Sequence, residues 1–93
     1  MNTHVSHEKQ LEFLKKIEGQ IRGVERMIQE GRYCVDILIQ IHSVIGALHR
    51  VKNNIFAKHL ETCVSAALKG KSEAEKQKKI MEIIELIDKF RKV

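Results

Sequence analysis

The chain has 93 residues, 43% hydrophobic and 31% charged, with no proline, no tryptophan and a net charge of +5. That length makes one domain, residues 1–93, with a modest core to which oligomerisation is expected to add. The composition argues against a strand-rich fold, no secretory signal is expected from the polar start Met1–Gln10, and no apolar run is read as approaching a membrane span.

A cytoplasmic location follows, in which the two cysteines stay reduced and serve as ligands or reactive thiols rather than as a disulfide. The basic bias suits nucleic acid or another anionic partner without demanding one.

Three helices are predicted, at about 6–30, 32–69 and 73–91. In the first, Leu11, Leu14, Ile17, Ile21, Val24, Met27 and Ile28 recur at steps of mostly three and four, the pattern of an amphipathic helix. Gly31 follows as a natural stop, because glycine accepts the left-handed conformation beyond a helix end. The short break makes the second helix fold back antiparallel on the first. Gly19 and Gly23 interrupt the first helix at about 1 kcal/mol each, which fits either a close helix contact or a tolerated imperfection.

The second helix carries apolar residues over more than one stripe, so it needs partners on two sides: the first helix, and the same helix of another chain. Gly70 ends it. Ser72-Glu73-Ala74-Glu75 reads as a capping box that opens the third helix, whose apolar face is Ile80, Ile83, Ile84, Ile87 and Phe90.

Both cysteines lie on the second helix, Cys34 near its start and Cys63 near its end, with His59 one turn before the second. The 25 residues from Cys34 to His59 rise roughly 37 Å in a continuous helix, too far for one chain to close around one ion. At about 100° per residue, however, His59 and Cys63 each fall within roughly 20° of Cys34 around the axis. An antiparallel second copy would bring the Cys34 end of one chain to the His59 and Cys63 end of the other, making two equivalent clusters by two-fold symmetry.

Two thiolates and an imidazole are a soft three-donor set that suits trigonal Cu(I), whereas Zn(II) seeks a fourth ligand. Ni(II) wants more nitrogen or oxygen donors, which His4 and His7 could supply from the N-terminus. His42 and His49 share one face of the second helix and read as polar rim or intersubunit groups. An enzyme is not expected: Cys63 and His59 could form a thiol and base pair, but no orienting group or glycine-rich oxyanion turn accompanies them.

The ordered segments IEGQIRGVERMIQEGRYCVDILIQIHSVIGAL and HLETC, at a spacing that needs no gap from Ile17 to Cys63, resemble the CsoR/RcnR family of metal- and stress-sensing transcriptional repressors. The resemblance implies an all-α, three-helix protomer that forms an antiparallel four-helix-bundle dimer, and dimers that pair into a homotetramer. It assigns the copper ligands to Cys34, His59 and Cys63, drawn from two protomers. His59 speaks against the persulfide-sensing branch and Cys63 against the formaldehyde-sensing one. Nickel and cobalt sensors add an N-terminal histidine at a position that is Asn2 here, with His4 and His7 close by. The copper branch surrounds its ligand histidine with a tyrosine and a glutamate, which fall on Tyr33 and, across an alignment gap near residues 71–77, on Glu85.

No helix-turn-helix, zinc finger or ribbon is present, so operator DNA would be met through charge. Lys15, Arg22 and Arg26 form a basic stripe on the first helix, and Arg50 and Lys52 add charge on the second. The resemblance places a DNA-interacting arginine on Arg50, while Phe13 occupies a position that is commonly basic, which shifts weight to Lys15 and Lys16. The expectation is a repressor that holds operator DNA in the apo form and is released by Cu(I), with Ni(II) as the alternative effector. A metal-buffering helical oligomer with no DNA role is the reading from another class.

Overall fold

The computed structural model describes residues 6–70 and 72–91, and all of their side chains except those of Cys63 and Val64. Every regular element among them is helical. Helix α1 runs Glu8–Gln29, starting two residues later than the periodicity suggests. His7 stands at its N-cap without a side-chain hydrogen bond, and the Ser6 hydroxyl accepts from the Glu8 N–H at 3.4 Å.

The end of α1 is defined by Gly31, whose φ is +67°. The Gly31 N–H donates to the Ile28 carbonyl at 3.1 Å and the Arg32 N–H to the Met27 carbonyl at 2.9 Å, the paired bonds of a Schellman ending. Because an L side chain resists that backbone conformation, Gly31→Ala is expected to lower stability by about 1 kcal/mol. Thermal unfolding followed by circular dichroism at fixed protein concentration checks this. Gly19 and Gly23 carry no such demand: a Cβ at Gly23 would meet nothing within 4 Å, and one at Gly19 only the Arg22 guanidinium at 3.8 Å.

Helix α2 is continuous over Cys34–Lys69, as the unbroken apolar pattern suggests, although it starts two residues later. The Tyr33 carbonyl opens it by accepting the Ile37 N–H at 3.2 Å. It is not uniform: Cys34–His59 is α-helical, Leu60–Val64 widens into a π-helical turn, and Ser65–Lys69 returns to α. Helix α3 spans Glu73–Arg91. Ser72 caps it as predicted, its hydroxyl accepting the Glu75 N–H at 3.2 Å.

The chain divides into two compact units, one of Ser6–Ala57 and one that includes Lys58 onward. In the first, α1 packs on the N-terminal two thirds of α2 through Ile17, Val44 and Val51, flanked by Leu14, Ala47 and Ile55. Gln10 accepts from the Asn54 side-chain amide at 3.3 Å near the open end of this hairpin. In the second, the last part of α2 packs on α3.

The described core is small. Ile17, at 4% exposure, is the most buried of three buried apolar residues, while Leu38, Ile39 and Ile45 on α2 and Ile80, Ile84 and Ile87 on α3 are exposed. Apolar surface on this scale marks an interaction surface. It also corrects one expectation: α2 is long and apolar enough, by length and composition, to cross a membrane. A helix apolar on two faces meets that test whether the second face is covered by lipid or by protein.

Candidate metal centre

Cys34 is the first residue of α2, exposed and with a free thiol. Tyr33 beside it is 67% exposed. Among the described side chains no group of three His, Cys, Asp or Glu could hold a metal within one protomer.

His59 is the last residue of the first α-helical stretch. Its Nε2 lies 3.0 Å from Glu82 Oε1 of α3, with the imidazole 28% exposed. Lys79 Nζ approaches the same oxygen at 3.9 Å. With Nε2–H donating to the carboxylate, the ring is held in one tautomer and the Nδ1 lone pair is left for a ligand. The backbone of Cys63 follows within the π-helical turn. Two thiols and an imidazole with its far nitrogen already engaged suit a soft, thiophilic ion.

Here the structure departs from the sequence reading. The carboxylate against His59 belongs to Glu82, not Glu85. Glu85 instead lines a hollow with Ile84, Ile87, Asp88 and Arg91, where Arg91 pairs with Asp88 at 2.9 Å. Residues three apart share a helical face, and the resemblance, carried across an alignment gap near residues 71–77, had assigned this part to Glu85 alone. His7 is half-buried at the start of α1, and His4 lies outside the described residues.

The profile of a family described as metal-sensitive transcriptional repressor matches residues 6–89. The chain belongs to this family. The repressor is 39% identical over 79 residues to the copper-sensing transcriptional repressor CsoR of Bacillus subtilis (strain 168), covering 85% of this chain and 75% of that one. Its fold superimposes with a TM-score of 0.85 on the crystal structure of the copper-sensing repressor CsoR with Cu(I) from Geobacillus thermodenitrificans NG80-2, at 34% identity over 99% of this chain and 95% of that one. It is also similar to the nickel-responsive transcriptional regulator InrS, with a TM-score of 0.77 and 37% identity over 97% and 98% of the two chains. The family is one of transcriptional regulators rather than enzymes.

The six basic residues singled out in the sequence all fall on the unit Ser6–Ala57. Lys15, Lys16, Arg22, Arg26 and Arg50 are exposed and Lys52 is half-buried. Lys16 and Arg50 come together at a hollow of about 140 Å³ between α1 and α2, floored by Ile17, Ala47 and Val51. Phe13, on its rim, holds the Lys16 ammonium 5.9 Å from its ring centroid. An aromatic at the commonly basic position thus retains a positive charge there.

Proposed function

We propose that the protein is a copper(I)-responsive transcriptional repressor, which binds operator DNA in the apo form and is released when Cu(I) is taken up by Cys34, His59 and Cys63. The observation that carries this reading is the His59–Glu82 hydrogen bond, which leaves an imidazole nitrogen beside the His-x-x-x-Cys pair. The likeness to copper sensors over most of the chain supports the choice of ion. Cys34, His59 and Cys63 would hold Cu(I) as soft donors for a soft ion, and the chain's part is to present them deprotonated and aimed.

Cys34 and His59 stand at the two ends of the α-helical stretch Cys34–His59, roughly 37 Å apart by its rise, so the site needs two protomers. An antiparallel homodimer would unite Cys34 of one protomer with His59 and Cys63 of the other, cover the exposed apolar face of α2, and pair again into a homotetramer. The apolar stripe is thereby assigned to protein contact and the protein to the cytoplasm. Lys15, Lys16, Arg22, Arg26, Arg50 and Lys52 would face the phosphate backbone. Tyr33, next to Cys34, would reach the histidine of the opposite protomer. Salt-dependent binding to the protein's own upstream DNA, lost on anaerobic addition of Cu(I), tests the reading. A metal-buffering oligomer predicts no such binding, and the family assignment already weighs against it.

Ni(II) is the second reading, favoured by the likeness to InrS and by His7, which with His4 would add nitrogen donors. Parallel loading with Ni(II) separates the two, since a nickel sensor would release DNA with Ni(II) and lose that response when His4 and His7 are replaced.

Glu82 and Glu85 give a sharper check on the site. Glu82→Ala is expected to weaken Cu(I) binding roughly 10- to 100-fold, the usual cost of losing a partner that orients a metal-bound histidine. Glu85→Ala should leave it unchanged. Competition against a chromophoric Cu(I) chelator reads both, and equal losses would remove the special role of Glu82.

A further inference from the structure

The widened turn Leu60–Val64 begins directly after His59 and includes Cys63, the two ligand-type residues at this end of α2. π-helical turns are rare and appear mostly as single interruptions of α-helices at functional sites. At its end the Ser65 N–H donates to the Leu60 carbonyl, five residues back, and also to the Thr62 carbonyl. Inside it, the Thr62 hydroxyl donates to the Lys58 carbonyl at 2.8 Å.

That second bond gives the widening a cause. A threonine hydroxyl that bonds four residues back draws on the carbonyl its own helical turn uses, which loosens and bends the helix there. The five-residue bond starts at the Leu60 carbonyl, two residues beyond Lys58, where the hydroxyl attaches. The consequence for the site is one of register. In an α-helix Cys63 would follow His59 by four steps of about 100°, whereas a turn closed by five-residue bonds rotates less per residue. The backbone of Cys63 therefore sits at a different angle from the one the α period assigns.

We infer that Thr62 is a positioning residue: its hydroxyl holds the π-helical turn that sets the angular register of Cys63 against His59. The inference rests on the reading of those two residues as ligands, but the turn itself can be followed without metal. Thr62→Val keeps the shape and removes the donor, Thr62→Ala removes the donor with a strong helix former, and Thr62→Ser keeps the donor.

In the apo protein, the valine and alanine variants should change the amide exchange and backbone chemical shifts of residues 60–65 while those of α1 stay as in the wild type. The serine variant should match the wild type. On anaerobic addition of Cu(I), the hydroxyl-free variants should bind at least roughly tenfold more weakly and show an altered thiolate-to-copper absorption band, with serine restoring both. Wild-type shifts at 60–65 in both hydroxyl-free variants, or a serine variant as impaired as the valine one, would overturn the assignment. If the wild type took up no Cu(I), the ligand reading would fall, and the apo measurement would still decide whether the hydroxyl holds the turn.

Discussion

Replacing Cys34 by alanine is expected to remove tight Cu(I) binding while leaving the apo protein's affinity for operator DNA unchanged. The thiol is one of only three soft donors proposed for each site, so its loss should exceed the roughly 100-fold that marks the upper range for losing a partner one shell further out. The fold has little reason to respond. Cys34 is exposed at the first position of α2, so alanine opens no cavity in the protomer, and it is the best helix former. Chelator competition measures the Cu(I) affinity, and fluorescence anisotropy on a labelled operator fragment measures DNA binding. An alanine variant that held Cu(I) as the wild type does would make Cys34 a structural residue and dissolve the two-protomer site.

Anaerobic Cu(I) is in turn expected to weaken operator binding by about 5- to 150-fold, the range of ordinary coupling free energies of about 1–3 kcal/mol between two sites. Such coupling requires the ion to favour one of two arrangements of the protein. A physical connection exists in the second unit, where His59 at the end of the α-helical stretch is tied through Glu82 to α3, and Lys79 of the same helix approaches that carboxylate. Linkage makes the effect reciprocal, so saturating operator DNA should weaken Cu(I) binding by the same factor. Measuring both sides of the cycle at one salt concentration is the test, because phosphate contacts make every DNA affinity fall steeply with salt. Operator affinity that stayed constant with Cu(I) bound would end the derepression mechanism while leaving the metal site standing.

Much of the fold was legible because it depends on local rules. The step of three and four in Leu14, Ile17 and Ile21 fixes a helix, and Gly31 marks its end since only a left-handed residue closes a Schellman pair. Ser72 and Glu75 announce the third helix through a cap that needs no distant partner. The ligand-type residues were legible too, because side-chain chemistry and a fixed rise per residue are enough to say that Cys34 and His59 cannot meet in one chain.

The choice between Glu82 and Glu85 was of another kind. Both lie on α3 one turn apart, and which carboxylate reaches an imidazole depends on how two helices pack, not on either helix alone. The π-helical turn was equally hidden, for Thr62 reads as an ordinary helical residue until its hydroxyl is seen on the Lys58 carbonyl.

By itself, then, the sequence determined the three helices, the stop of the first at Gly31 and the start of the third at Ser72, all of which follow from short-range periodicity and capping, while the family followed from the ordered resemblance over Ile17 to Cys63. Only the tertiary structure decided which carboxylate meets His59, that Lys16 and Arg50 share one hollow, and that α2 loosens where Cys63 sits. Those outcomes turn on contacts between residues distant in the chain, or on a slip of one hydrogen bond, and neither leaves a period in the sequence to read.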